Sequence, residues 1–457
     1  MRYLPHTEAE IRDMLAAIGA PSIDALFEPI PKDARLGRPL GIEPGLDEPR
    51  LMAHMQALSA KNTAVSALSF LGAGIYDHHV PPAVDQLLLR GEFYTAYTPY
   101  QPEVAQGTLA AIFEFQTVVA ELFGMPVANA SMYDGASAAA EAALMARRLT
   151  KRTHVLVSAG VHPEYIETIR TYVRNLPGGS GEIEVVPVGK SGADDVALIA
   201  SKLRDDTAAV VVGYPNFFGC VTDLRPIADK AHDKGALLVT ATSEPYALAL
   251  IESPGAQGAD IAVGEGQPIG IGAQYGGPGC GLFACKDTRE FMQSIPGRLC
   301  GETVDKNGQR GYVLTLSTRE QHIRRDRATS NICTNHSLIA LAITIRMCLL
   351  GKTGFVEVAR QCLSKAEYLK AELVKTGAFE VPYTAPTFNE FVVRAKKGTT
   401  SQILGKLEAQ GILGGVPLSR FFEGGFAART NEWLVAVTER HEKSDLDRFV
   451  AALRAAV

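Results

Sequence analysis

Between Thr153 and Cys285, short apolar runs alternate with amphipathic segments, and this alternation constrains the fold more than any other feature of the chain. The runs are His154–Ser158, Glu184–Val188, Ala208–Gly213, Ala236–Ala241, Asp260–Gly264 and Gly281–Cys285. Each has strand length and is rich in Val, Ile, Leu or Ala. The segments Pro163–Asn175, Val196–Leu203 and Leu224–Lys234 carry helical spacing between them. Apolar strands separated by helices predict an α/β domain with a mostly parallel sheet covered on both faces.

The flanks are different. Thr7 and Glu10 form a capping box, Ile11, Met14, Leu15 and Ile18 repeat at helical spacing, and Gly19 is a natural stop. From Pro21 to about Asp47 the chain is rich in Pro and Gly and reads as an extended arm of the kind that lies on another surface, such as a second subunit. A long amphipathic helix is predicted over Glu103–Phe123, with Leu109, Ile112, Phe113, Val119, Leu122 and Phe123 on one face. An alanine-rich helix follows at Ala136–Leu149. After a helix near Leu338–Leu350, the helix Val356–Thr376 leads into strands at Phe379–Tyr383, Glu390–Arg394 and Trp433–Thr438 and a helix after Ser444. We therefore expect an N-terminal helix and arm (1–65), a large α/β domain (66–345) and a small α+β domain (346–457).

Composition narrows the function. The net charge of −5 gives no reason to expect nucleic-acid binding, and no apolar run approaches the ~20 residues of a membrane span. The N-terminal stretch lacks the apolar core of a signal peptide. The 7 cysteines are odd in number and include no CxxC pair, so reduced thiols are expected, with no zinc site. Cytoplasmic localisation is the expectation.

Four segments carry chemical interest. Gly91–Pro102 holds Tyr94, Tyr97 and Tyr100 beside Gln101, a density that suits a pocket-lining loop as well as a surface loop with partly buried tyrosines. Tyr133–Ala142 opens the alanine-rich helix with Gly135, Ala136 and Ser137. Its free amides could receive an anion such as phosphate, or the helix could simply be a packing helix. Gly213–Gly219 places Asn216 just past a strand's carboxyl end, where open α/β sheets bind ligands; a Pro-Asn turn also occurs without function. Gly264–Gly279 is a glycine-rich loop between two apolar runs. Basic residues cluster at Arg319, Arg324, Arg325 and Arg327.

Taken in order, these segments and His162 beyond its strand resemble the fold type I pyridoxal-phosphate enzymes. The wording FLGAGIYDHHVPP (70–82), FYTAYTPYQPEVAQG (93–107), ANASMYDGASAAAEA (128–142), VGEGQPIG (263–270), YGGPGCG (275–281) and REQHIRRDRATSN (319–331) is similar to the amino-terminal half of the glycine decarboxylase (P-protein) family. The resemblance spans nearly the whole chain. It implies a large domain with a mostly parallel seven-stranded sheet. In the cofactor-bearing half of the family a lysine precedes the glycine-rich run, and counting back from Gly276–Gly279 puts Gln267 in its place.

Gln cannot form an imine. The acidic partner for the pyridinium nitrogen is also not evident, since that strand ends Thr240-Ala241 and Glu244 comes later. The resemblance therefore implies a lysine-free subunit 1 of a two-subunit enzyme, with no catalytic residue of its own. Its second, lysine-bearing subunit would hold pyridoxal phosphate covalently. Glycine would be decarboxylated there and its aminomethyl group passed to the lipoyl arm of the H-protein. Tyr94, Tyr97, Tyr100, Gln101, Arg324, Thr329, Ser330 and Asn331 would be lent to the shared site. Gly135, Ala136, Ser137, His162 and Asn216 would line a degenerate pocket, with His162 a packed core histidine. His78 and His79 show no third ligand at metal spacing, so no metal is assigned. The alternatives are a self-sufficient enzyme using another lysine such as Lys286, or a non-catalytic assembly or regulatory protein.

Overall fold

The computed structural model describes residues 5–174, 183–421 and 428–457, and the chain divides into two units, Met1–Thr63 and Ala64–Val457. In the first, helix Glu8–Ile18 begins on the predicted capping box and ends at Gly19, whose φ of 69° is the left-handed conformation a glycine adopts freely. None of its residues is buried. The stretch expected to be extended contains two short 3-10 helices, Asp24–Phe27 and Lys32–Ala34, and it ends at Asp47, whose carboxylate accepts the Arg50 amide and caps a second helix, Glu48–Ser59.

The second unit is organised by a seven-stranded sheet in the order Val127–Ala128, Gly281–Cys285, Ile261–Glu265, Leu237–Thr242, Thr207–Gly213, His154–Ser158, Ile183–Val186. The last five run parallel; Gly281–Cys285 lies antiparallel to Ile261–Glu265 and to Val127–Ala128. All six predicted strands are present. They read as continuous apolar runs because both faces are covered. Leu156, Val210, Val212 and Leu238 point into one core with the Gln106–Phe123 helix, and Val155, Val157, Val211 and Val239 into another with the alanine-rich helix Gly135–Thr150. In the Gln106–Phe123 helix the fully buried aromatics are Phe115 and Phe123, whereas Phe113 and Leu122 are only half-buried. The helix predicted over 163–175 runs Pro163–Arg174, and Asn175 lies outside the described residues.

The C-terminal part builds a four-stranded antiparallel sheet, Phe379–Glu380, Glu390–Ala395, Glu432–Ala436 and Val416–Pro417, backed by helix Lys443–Ala456. Leu68 pairs in parallel with Ile412, and the Phe70 ring stacks on Phe449 at 3.9 Å. The Phe70 carbonyl also accepts the Ala436 amide at 3.0 Å, so the stretch leading to His78 is fixed both to the four-stranded sheet and to the helix behind it. Helix Ser337–Lys375 is interrupted at Gly351, where φ is 59° and ψ −179°, so it is two helices joined at a kink, as the two separate helices read from the sequence lead one to expect. Among the described residues it alone is long and apolar enough to match a membrane span, yet Ala340, Ile343, Phe355, Ala359 and Cys362 bury into the core.

Candidate active site

The predicted site residues past the sheet strands gather at the carboxyl edge of the parallel strands. Asp134 caps helix Gly135–Thr150: its Oδ1 accepts the Ser137 amide at 2.7 Å, and Ser137 Oγ accepts the Asp134 amide at 3.2 Å. Ser137 thus serves its own helix, and Ala136 beside it is half-buried. Glu265 ends the Ile261–Glu265 strand and turns its carboxylate onto the same helix start. Oε2 accepts the Gly135 amide at 2.9 Å, while Oε1 accepts the amides of Gln267 at 2.9 Å and Cys280 at 2.8 Å. The residue is 7% exposed. Burial raises its pKa, the three amides pull it back down, and neighbouring Asp134 adds repulsion.

Gln267 opens the glycine-rich loop as a buried amide, with Nε2 donating to the Ile271 carbonyl at 2.8 Å. Its Oε1 is buried with no hydrogen-bond partner. Glu244, the acid nearest the end of the Leu237–Thr242 strand, is spent elsewhere. It accepts from His78 Nε2 at 2.9 Å, from Asn389 at 3.2 Å and from the Tyr246 amide at 3.1 Å.

His162 is a buried, neutral histidine. Its Nε2 donates to the Ala73 carbonyl at 2.8 Å, its Nδ1 accepts the Glu164 amide at 3.1 Å, and burial lowers its pKa. Tyr165 lies 5.2 Å away, ring to ring, and Phe217 and Phe421 meet the imidazole edge-on. Asn216 holds its own turn: Oδ1 accepts the Phe218 and Cys220 amides at 3.0 Å and Nδ2 donates to the Gly192 carbonyl at 2.7 Å. A covalently held pyridoxal phosphate does not fit these residues. Gln267 offers no amine, the helix-start amide of Gly135 already has a carboxylate partner, and the polar groups of His162 and Asn216 are engaged. Lys286 follows the Gly281–Cys285 strand at the opposite edge of the sheet, paired with Asp260.

The second set of predicted residues lies at the surface. Tyr94, Tyr97 and Tyr100 are 62%, 85% and 61% exposed, and Gln101 is exposed too. Arg324 and Asn331 are exposed, while Thr329 and Ser330 are half-buried. The Thr329 amide donates to the Arg319 carbonyl at 3.1 Å, and Ser330 lies beside the buried carboxyl of Glu141. Arg298 connects the two segments. It is 4% exposed and donates to Thr98 Oγ1, the Tyr100 hydroxyl and the Cys333 carbonyl.

Sequence reasoning missed Arg298, which follows an ordinary Pro-Gly turn with no signal of its own. Glu265 was missed as well, although a charged residue closing an otherwise apolar strand signals a need for buried partners. Sequence spacing also gave no third group near His78, because Glu439 and Cys362 arrive from far along the chain. His78 Nδ1 meets Glu439 Oε2 at 2.6 Å, and Cys362 Sγ lies 3.7 Å from the same oxygen. With both ring nitrogens on carboxylates, this cluster is an ion triad that fixes the 70–79 segment.

Known proteins resemble this chain over nearly its full length. The family model for the glycine cleavage system P-protein matches residues 1–453. A probable glycine dehydrogenase (decarboxylating) subunit 1 from Sorangium cellulosum is 60% identical over 453 residues, 99% of each chain. One from Desulforamulus reducens is 48% identical over the full length of both. The crystal structure of a glycine decarboxylase (P-protein) of the glycine cleavage system, in inhibitor-bound form, superposes with a TM-score of 0.88 at 43% identity, covering 100% of both chains. A glutamate decarboxylase from Lactobacillus brevis shares the fold at a TM-score of 0.69 and 14% identity, covering 93% of this chain and 95% of its own. The architecture is that of the fold type I pyridoxal-phosphate enzymes.

Proposed function

The chain belongs to the P-protein family of the glycine cleavage system, and on that premise we propose that it is the lysine-free subunit that completes a partner's active site. Its relatives are subunit 1 of glycine dehydrogenase (decarboxylating), and it takes the same place as part of a glycine decarboxylase. A second, lysine-bearing subunit holds pyridoxal phosphate covalently. Glycine is decarboxylated at that site and the aminomethyl group passes to the lipoyl arm of the H-protein. Two copies of each subunit, in the cytoplasm, form the working assembly.

The observation that carries this reading is Gln267, a buried amide at the head of the glycine-rich loop where the fold's lysine would stand. What the chain lends is a rigid, polar-tipped surface. Tyr94, Tyr97 and Tyr100 present broad rings at low entropic cost, with Gln101 beside them. Arg324 offers a fork suited to carboxylate or phosphate, and Thr329, Ser330 and Asn331 offer short polar groups next to it. The degenerate pocket of Gly135, Ala136, Ser137, His162 and Asn216 keeps the fold's shape without its chemistry.

The test is reconstitution with the lysine-bearing subunit. Release of CO2 from glycine, in the presence of lipoylated H-protein, is expected only when both subunits are present. Turnover by either subunit alone at the rate of the pair contradicts the proposal.

A further inference from the structure

A helix start that faces a carboxyl-edge pocket is a ready receiver for an anion, because its first amides lack partners within the helix. In this chain the receiver is already filled from within. The carboxylate of Glu265 collects the amides of Gly135, Gln267 and Cys280, and these come from three separate pieces of chain: the helix start, the turn after the strand, and the end of the glycine-rich loop. The fit is close on all sides. A Cβ on Gly279 would stand 2.9 Å from Glu265 Oε2 and 3.0 Å from Asp134 Cβ, and a Cβ on Gly135 would stand 3.2 Å from that of Glu265.

We propose that Glu265 is a resident anion: its carboxylate occupies the amide cradle at the start of helix Gly135–Thr150, so this subunit excludes phosphate and phosphate-bearing cofactors from its own pocket. The inference goes beyond the missing lysine. A lysine determines whether a cofactor is held covalently, whereas Glu265 determines whether the phosphate group is admitted at all. It stands on this chain's own geometry and holds whether or not the tyrosine loop serves a partner.

Electrostatics reinforces the exclusion. An entering phosphate would meet Glu265 and Asp134 together, two carboxylates at one helix start, where like charges oppose each other in a poorly solvated setting. Burial raises the pKa of Tyr165 alongside them, and the negative charge of both carboxylates adds to the rise. The carboxylate does structural work too, since it ties the base of the glycine-rich loop to the helix. Its loss leaves three buried amides without an acceptor.

The experiment uses the full chain, wild type, Glu265→Ala and Glu265→Gln, with inorganic phosphate and acetate as probes against chloride at equal ionic strength. Equilibrium dialysis with labelled phosphate is expected to retain none on the wild type and about one per chain on Glu265→Ala. The melting temperature of Glu265→Ala should lie below that of the wild type and recover by several degrees with phosphate or acetate but not chloride. Glu265→Gln fills the space while setting an amide NH2 against at least one backbone N–H. It should melt lower than the wild type and retain no phosphate. Stoichiometric phosphate on the wild type, lost in Glu265→Ala, overturns the proposal. So does an unchanged melting temperature in Glu265→Gln. Should Glu265→Ala fail to fold, the wild-type dialysis and the Glu265→Gln melt decide the matter alone.

Discussion

The guanidinium of Arg298 lies 5.2 Å from the ring centroid of Tyr100, and its Nη2 donates both to the Tyr100 hydroxyl at 3.2 Å and to the Cys333 carbonyl at 2.9 Å. Its Nη1 reaches Thr98 Oγ1 at 3.1 Å. One buried cation therefore sets the tyrosine loop against the segment that follows Asn331. Glu320 Oε2, 3.6 Å from Nε, provides the counter-charge. Lysine keeps the charge, but its single compact ammonium lacks the planar spread of the two guanidinium nitrogens that reach Thr98, Tyr100 and Cys333. Arg298→Lys should free both segments, seen as faster proteolysis between Tyr94 and Gln101. Decarboxylation by the assembled enzyme should fall about tenfold or more, as expected when positioning is lost. Unchanged proteolysis and rate would show that Arg298 does not position the loop.

His78 is held between Glu244 and Glu439. Burial disfavours its charge, but Glu244 and the hydrogen bonds with Cys362 and Glu439 outweigh that and raise it well above the usual value. Glu439 is held down to about 2, against burial, by its bond to His78. The histidine's contribution is complete below its unfolded pKa and lost as pH rises through the raised one. That of Glu439 is complete above its unfolded pKa and lost as pH falls toward about 2. His78→Gln should therefore cost about 3–5 kcal/mol by denaturant unfolding. The difference should be largest between about pH 4.5 and 6.5, where both contributions are complete. A cost below about 1 kcal/mol would remove the triad's structural role.

Glu390 gives a pH dependence of the same sign as that of His78 and opposite to that of Glu439. Its carboxyl accepts the Ala73 amide at 2.6 Å and the Tyr76 hydroxyl at 2.8 Å, yet burial pushes its pKa up to about 7. Between its unfolded value and about 7 the native state binds the extra proton, so stability falls as pH rises through that window. Glu390→Gln should flatten this slope. The wild type should lose up to about 3 kcal/mol more than the variant between about pH 4.5 and 7. Parallel stability curves would show that Glu390 is not protonated in the fold.

Much of this architecture is legible in the sequence because burial on both faces leaves the strands as uninterrupted apolar runs, of which His154–Ser158 and Gly281–Cys285 match residue for residue. The hairpin Leu299–Val304 with Arg310–Thr315 was not predicted. Its outer residues are exposed and polar, so Glu302 and Arg310 give no apolar alternation to read. Helix Glu48–Ser59 was missed beyond the Pro-rich stretch, although Asp47 is a cap of the usual type. In the site, Gln267 and the exposed tyrosines could be read from residue type and order. The use of Glu265, Glu244 and Arg298 could not, because each bonds to groups far away in the chain.

Tyr97 is the most exposed of the three tyrosines, which suits the role proposed for it in a shared site. Tyr97→Phe should leave assembly intact and lower glycine decarboxylation about tenfold, the worth of one charge-assisted hydrogen bond. Wild-type kinetics would assign the loop to packing alone.

Gln267→Lys restores an amine but neither an acid for the ring nitrogen nor an open cradle. Assayed without the second subunit, that variant should release no CO2 from glycine. Turnover by it would mean that one residue separates the degenerate pocket from a working one.

In the function proposed above, this subunit holds no covalent cofactor and completes a site that does. Borohydride reduction with pyridoxal phosphate in glycine-free buffer, followed by intact mass and peptide mapping, tests it most directly, on the chain alone and with its lysine-bearing partner. No specific adduct is expected on this chain, and one is expected on a lysine of the second subunit. A stoichiometric adduct on a lysine of this chain would contradict this and make the chain an enzyme in its own right.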